Sequence, residues 1–180
     1  MLKYSMTALT LAIVTTVSAT SLVAARVAEA ATPDTVLHTY TAPDAPIASS
    51  VVVPPGYETI YLSGMVPAVS DPTAPKGTIA AYGTTEVQTE SVIGKLQAAL
   101  MAQGADLKDV VSMHVFLVGD PAMGGKMDFA GMMKAYLRHF GTPDQPNKPV
   151  RATVQVAALA APGFLVEIEV IAAKPAMMTQ

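Results

Sequence analysis

The fold is decided by the stretch Pro149-Val-Arg-Ala-Thr-Val-Gln-Val-Ala-Ala-Leu159, followed after an Ala-Pro-Gly linker by Phe164-Leu-Val-Glu-Ile-Glu-Val170. Polar and apolar residues alternate along both segments, and this period of two is typical of half-buried strands. Each predicted strand therefore has an apolar face and a polar face. The polar positions are Arg151, Thr153 and Gln155 on the first strand and Glu167 and Glu169 on the second.

The remainder of the chain predicts further strands and two helices. The nearly continuous apolar run at 110–118 is typical of a central strand, and apolar residues at helical spacing behind a capping residue indicate each helix. In the second helix we interpret the core-facing residues as Phe129, Met132, Met133, Tyr136 and Phe140. In order, the predicted elements are strands at 36–40, 51–53 and 59–63, a helix from Thr84 or Thr85 to Gln103, a strand at 110–118, and a helix from Asp128 to Phe140.

This order of elements predicts an α+β domain in which two amphipathic helices cover one face of a sheet. The other face is expected to carry the polar residues of the last two strands, because burying them without partners would be costly. Arg151, Thr153, Glu167 and Glu169 should therefore face solvent, a partner subunit or a ligand on the uncovered side. No element is predicted for residues 174–180.

Residues 1–30 are predicted to be a secretory signal peptide. A positive start at Lys3 precedes an uncharged, mostly apolar stretch, and Val27-Ala-Glu-Ala30 has the small-x-small form of a signal peptidase site. An uncleaved membrane anchor is the alternative, because the apolar stretch is just long enough to span a bilayer. Cleavage near Ala30 would leave residues 31–180 as one periplasmic or secreted domain without stable membrane association.

Charge and residue usage exclude several classes of function. The whole chain has a formal charge of −3, which becomes about −4 without residues 1–30, so no basic stripe is available for nucleic acid. The absence of cysteine excludes disulfides, thiol catalysis and thiolate metal sites. The three histidines lack metal-ligand spacing, so no metal site is predicted. We interpret His114 as a core residue and His38 and His139 as surface residues.

Five segments in order resemble the RidA family, which is also called the YjgF or endoribonuclease L-PSP family. The opening stretch, followed six residues later by Val166-Glu-Ile168, resembles the signature of that family. Four more segments resemble its early strand and turn, its first helix, the strand after that helix and its second helix. These segments are Ile60–Gly64, Gln88–Leu100, Asp109–Leu117 and Phe129–Phe140.

The resemblance implies a chorismate-mutase-like α+β domain, a homotrimer with ligand clefts between subunits, and hydrolysis of reactive enamines and imines of 2-oxo acids. Neither a metal nor an organic cofactor is implied. Arg151 matches the carboxylate-binding arginine of the family, and Glu167 matches the glutamate that places the water. A guanidinium fork suits a planar carboxylate, and a carboxylate can activate water. Thr153 and Gly64 are further candidates, because a hydroxyl or a bare backbone N–H there can contact the same ligand.

Three positions depart from the family's pattern. The family's ligand-stacking tyrosine aligns near Ser50, its cysteine two residues after the arginine is replaced by Thr153, and the usual asparagine of its second helix is replaced by Met133. These departures leave open a second function, in which a trimeric ligand-binding or holdase-like protein keeps the cleft without the reaction. An endoribonuclease, which one family name suggests, is a third hypothesis that the acidic charge disfavours.

Overall fold

The computed structural model describes residues 34–176. The predicted signal peptide at residues 1–30 lies outside the described residues, as do residues 31–33 and 177–180. No helix within the described range is long and apolar enough to cross a membrane. The elements in chain order are β1 (Leu37–Thr39), β2 (Ser50–Val52), β3 (Tyr57–Met65), α1 (Ile79–Tyr82), α2 (Thr85–Ala102), β4 (Val110–Val118), α3 (Phe129–Tyr136), β5 (Val150–Val156) and β6 (Val166–Pro175).

Four strands form one mixed sheet in the order β3-β6-β4-β5, while β1 and β2 form a separate pair. Both β3 and β4 run antiparallel to β6, whereas β5 runs parallel to β4. A parallel pair needs a crossover connection, which contains α3. The predicted α+β class and the order of its long elements are confirmed, and β5 lies at an edge of the sheet.

The two long helices cover one face of this sheet. Thr84 caps α2 by accepting a hydrogen bond from the backbone N–H of Val87, and Asp128 caps α3 by accepting one from Gly131. Full burial of each large apolar side chain contributes about 1.5–3 kcal/mol, so the helix–sheet layer supplies most of the stability. Its core contains Val92, Ile93, Leu96, Leu100, Met113, Val115, Leu117, Met132, Tyr136, Val166, Ile168 and Val170.

The polar residues of β5 lie on the helix side of the sheet, which corrects the placement expected from the sequence. Arg151 pairs in register with the buried Met113 and so points toward α3, and Thr153 follows on the same side. Glu167 and Glu169 lie on the uncovered face, as predicted. The alternation of polar and apolar residues shows that a strand has two different faces, but it does not show which face packs against the helices. In the edge strand β5, the polar face is the one that packs against the helices.

Three further expectations need correction. β6 runs to Pro175 rather than ending near residue 170, because its last residues continue to pair with β3. The single-turn helix α1 had no predicted counterpart. His114 lies on the uncovered face rather than in the core, with its Nδ1 2.8 Å from Oε1 of Glu169.

A cluster of charged side chains joins α2 to the chain just after α3. Glu90 is hydrogen bonded to Nε of Arg138 at 3.0 Å and to Nε2 of His139 at 2.6 Å, and Arg138 also donates to Glu86 at 2.8 Å. His139 is thus a partly buried member of this cluster rather than a free surface residue. Burial alone would raise the pKa of Glu90, but the hydrogen bonds from His139 and Arg138 outweigh it and hold this pKa below its ordinary value.

Replacing Glu90 by glutamine is expected to lower the free energy of unfolding by about 0.5–1 kcal/mol at pH 7, the range of part-exposed ion pairs. Because the folded-state pKa of Glu90 is depressed, its stabilisation is complete above the unfolded-state value and is lost as the pH falls through the folded-state value. Urea unfolding should therefore show the difference from wild type shrinking between about pH 5 and pH 3. A constant difference would contradict this, and exposed Asp144→Asn is the control.

Candidate functional site

Arg151 lies beneath α3, where uncharged side chains surround its guanidinium. Its NH2 donates to the sulfur of Met133 at 3.1 Å, and its Cζ lies 4.3 Å from the centre of the Tyr136 ring and 5.9 Å from that of the Phe129 ring. These three residues occupy positions i, i+4 and i+7, so they project from one side of the helix. We call Phe129, Met133 and Tyr136 the α3 wall.

The guanidinium has hydrogen-bonding capacity that no described residue uses. NH1 of Arg151 and Oγ1 of Thr153 are buried without a hydrogen-bond partner, and no carboxylate within residues 34–176 forms an ion pair with Arg151. Each such atom costs about 1–3 kcal/mol when unpaired, and more when charged. Burial lowers the pKa of Arg151, while Tyr136 acts in the opposite direction. A part-buried cation with open donors is suited to binding an anion.

Tyr136 is the residue of the α3 wall whose side chain is held rigidly in place. Its ring is almost wholly buried and stacks on Phe140 with centres 4.8 Å apart, and its hydroxyl donates to the carbonyl of Pro46 at 3.0 Å. Burial raises the pKa of Tyr136, so the phenol stays neutral near pH 7. A neutral ring held in this way supports the guanidinium through a cation–π contact of about 0.5–2 kcal/mol.

Glu167 of β6 lies on the uncovered face against Gly64 of β3. The β3–β6 register shifts between Leu62 and Met65, which places Gly64 in the irregular part of its strand. A Cβ added at Gly64 would clash with Oε1 of Glu167. The missing side chain therefore makes the space in which this carboxylate lies.

We expect Gly64→Ala to displace the carboxylate of Glu167 without unfolding the protein, because Oε1 is the mobile end of a long side chain. If Glu167 places a water, as the resemblance implies, imine hydrolysis should fall by about 10- to 100-fold while carboxylate binding changes little. Steady-state kinetics and calorimetry measure the two effects. Gly94→Ala in α2 is the matched control, because a Cβ there meets nothing within 4 Å. Full activity of Gly64→Ala would contradict the prediction.

The four site residues predicted from the sequence form two groups on opposite faces of one sheet. Arg151 and Thr153 face the helix side, whereas Gly64 and Glu167 lie on the uncovered side, and β4 separates β5 from β6. A single copy of the chain therefore does not bring Arg151 and Glu167 to one ligand. A site that contains both must lie between two copies.

Other polar groups of the uncovered face surround a cavity of about 230 Å³. Its lining includes Tyr61, Ser63, Ser112, His114 and Glu169. Within residues 34–176, no three His, Asp or Glu side chains gather closely enough to hold a metal ion. This cavity lies on the same side of the sheet as Glu167 and away from Arg151.

The sequence pattern assigns Phe129 and Tyr136 to the core and does not predict their contact with Arg151. Tyr136 is indeed in the core, but Phe129 is 43% exposed. The signal that would have found both is their spacing with Met133 on a helix that leads into the strand of Arg151. Ser50, near which the resemblance aligns a ligand-stacking tyrosine, is exposed at the start of β2.

Comparison with known proteins gives matches of three kinds. A family model described as endoribonuclease L-PSP matches residues 39–174. Protein DfrA of Myxococcus xanthus is 38% identical over 139 residues, which cover 76% of this chain and 92% of that protein. A RutC family protein of Pyrococcus horikoshii is 32% identical over 115 residues, which cover 64% of this chain and 79% of that protein. A solved structure of the conserved Rid family protein YyfB from Yersinia pestis has a TM-score of 0.55 at 21% identity, covering 76% and 96% of the two chains, and shows the same fold.

Proposed function

The chain belongs to the endoribonuclease L-PSP family, also called the RidA or YjgF family, and from this premise we propose that it hydrolyses imine and enamine forms of 2-oxo acids. The observation that carries the proposal is the part-buried guanidinium of Arg151, which has open donors and no carboxylate partner among the described residues. The ligand supplies the missing anion as its carboxylate.

In the proposed complex, the substrate carboxylate binds the guanidinium fork of Arg151 and accepts a further hydrogen bond from Oγ1 of Thr153. Both of these groups lie on the helix-facing side of β5, two residues apart. Satisfying two buried polar atoms recovers a cost of about 1–3 kcal/mol for each, in addition to the charge-assisted bonds themselves.

The proposed chemistry needs one water and one carboxylate. Glu167 accepts a proton from the water as its oxygen attacks the C=N carbon, which forms a carbinolamine. The same carboxyl group returns this proton to the nitrogen. It then takes the hydroxyl proton of the carbinolamine and gives it to the nitrogen as well, so that the C=O bond forms, the C–N bond breaks, and the products are the 2-oxo acid and ammonia. All atoms and electrons balance without an oxidant or reductant.

The placement of these residues supports a composite site in a homotrimer, an assembly that fits the family. Arg151 and Glu167 lie on opposite faces of one sheet, so the cleft takes each from a different copy. The uncovered face also exposes apolar surface on β5 and β3, including Val154 at 47% and Tyr61 at 75% exposure. Apolar patches of this kind are typical of surfaces that pack against another subunit.

A second candidate is a trimeric ligand-binding or holdase-like protein that has this cleft without the reaction. The observation that favours it is the contact between NH2 of Arg151 and the sulfur of Met133, which occupies one donor of the anchor. RNA cleavage is not proposed, because the chain has a formal charge of −3, and three of its basic side chains, Lys134, Arg138 and Lys174, pair with glutamates of the same chain.

The proposal is tested by ammonia release from freshly generated 2-iminobutanoate. We expect purified protein to accelerate this release in proportion to its concentration. Equal rates with and without protein would refute the proposed reaction. Calorimetric binding of 2-oxobutanoate in the absence of turnover would then select the ligand-binding candidate.

We also propose that residues 1–30 direct export and are removed near Ala30, on the basis of the apolar stretch and the Val27-Ala-Glu-Ala30 sequence. Expression of the full chain in a bacterial host should release a product that begins at Ala31 with the periplasmic fraction. N-terminal sequencing and intact mass measure this. An uncleaved product in the membrane fraction would support the anchor instead.

A further inference from the structure

Phe129 is an exposed aromatic side chain beside the candidate anion site. It is the first residue of α3 and remains 43% exposed, while the buried side of the same helix is formed by Met132, Ala135 and Tyr136. Its ring centre lies 5.9 Å from Cζ of Arg151. An exposed ring that contributes little to the core and borders a part-buried cation is available to a ligand bound on that cation.

Met133 continues this apolar surface toward the guanidinium. Its sulfur accepts a hydrogen bond from NH2 of Arg151, and its side chain is only partly buried. A thioether is a weak acceptor on a flexible, polarizable side chain, so it can yield its donor to a carboxylate and still pack against carbon atoms. The groups that border the anchor on the α3 side are thus an aromatic ring and a thioether.

The two cations of α3 and the residues just after it pair with glutamates of α2. Lys134 lies 3.8 Å from Glu86, and Arg138 binds Glu86 and Glu90 of α2. Neither cation contacts the guanidinium of Arg151 or the exposed ring. On the α3 side of the anchor, a second negative charge on a ligand would therefore meet Phe129 and Met133.

We infer that Phe129 and Met133 select the substrate side chain, favouring 2-oxo and 2-imino monocarboxylates with an extended apolar side chain over dicarboxylates. This inference rests on the proposed function, because it takes Arg151 as the carboxylate anchor. A carboxylate on the guanidinium lies about 4 Å from Cζ, so ligand carbons a few bonds further on come within reach of the Phe129 ring. Burying a second carboxylate against that ring is disfavoured, since the face of an aromatic ring carries partial negative charge.

Calorimetry with three stable 2-oxo acids tests the inference on the purified protein. We expect 4-methyl-2-oxopentanoate to bind at least about tenfold more tightly than 2-oxoglutarate, with pyruvate between them, because each buried apolar group is worth about tenfold or more. Phe129→Ala should weaken 4-methyl-2-oxopentanoate by about tenfold and pyruvate by much less. Phe129→Leu keeps an apolar side chain and should retain most of the preference.

Two further variants sharpen the result. Met133→Lys places a cation in the α3 wall and should raise the affinity for 2-oxoglutarate relative to 4-methyl-2-oxopentanoate. Leu137→Ala removes another exposed apolar side chain near the end of α3 and is the control, which should leave all three affinities unchanged. Thermal unfolding by circular dichroism confirms that each variant is folded.

The possible outcomes separate the two proposals. Equal affinities of the wild type for all three acids, or equal losses in Phe129→Ala for all three, would overturn the selectivity while leaving the anchor at Arg151 intact. Failure of every 2-oxo acid to bind would overturn the anchor, and the proposed function with it. Tighter binding of 2-oxoglutarate by the wild type would show that a cation reaches the ligand side chain and would reject the inference.

Discussion

Replacing Arg151 by alanine is expected to lower kcat/KM for 2-iminobutanoate by at least about 100-fold, because removing one partner of a buried charged pair costs about 2–5 kcal/mol. Within residues 34–176, its guanidinium contacts Phe129, Met133 and Tyr136, and none of these side chains carries a positive charge that could replace it. Most of the loss should appear in substrate binding. Calorimetry should find no measurable affinity of the variant for 2-oxobutanoate.

Two further variants separate charge from geometry. Arg151→Lys keeps the positive charge but lacks the planar fork that holds a carboxylate at two points, so we expect it to recover only a small part of the activity. Arg138→Ala removes the arginine of the charged cluster that joins α2 to the chain after α3. It should leave kcat/KM within about twofold of wild type, since the partners of Arg138 are Glu86 and Glu90. Activity of Arg151→Ala close to that of wild type would show that the substrate carboxylate binds elsewhere.

The sequence specifies most of the fold, because the relevant signals are local. The caps Thr84 and Asp128 and the apolar run at 110–118 each define an element by its own residues, and the structure confirms all three. The end of β6 was not predictable in this way. Its last residues are held by pairing with β3, and that contact joins positions far apart in the sequence.

The candidate site shows the same limit more clearly. Alternation along the last two strands singled out Arg151 and Glu167, but it carried no information on which side of the sheet each would lie. Arg151 faces inward because β5 is an edge strand beside α3, and this depends on the order of strands in the sheet. The contact with Met133 likewise arises from the crossover between β4 and β5. The candidate site residues could therefore be identified from the sequence, but which of them lie next to each other is determined by the tertiary structure.

The opposite placement of Arg151 and Glu167 leads to the second large expected effect, which is recovery of activity on mixing two inactive variants. Arg151→Ala lacks the anchor, and Glu167→Gln lacks the group that accepts the proton from water, so each alone should retain below about 1% of wild-type kcat/KM. In a closed ring each cleft takes Arg151 from one copy and Glu167 from its neighbour. Random assembly of equal amounts should then make about one quarter of the clefts complete.

Coexpression of the two variants with different affinity tags, followed by tandem purification, isolates the mixed assemblies. Their activity should rise from the background to a substantial fraction of wild type, with size-exclusion chromatography confirming the assembly. The matched control pairs Arg151→Ala with the double variant Arg151→Ala/Glu167→Gln, in which no arrangement of copies restores a cleft. Mixed assemblies no more active than this control would mean that the two residues do not act on one substrate. Recovery can arise only if the sheet of one copy presents its inner face, and the sheet of its neighbour its outer face, to the same ligand.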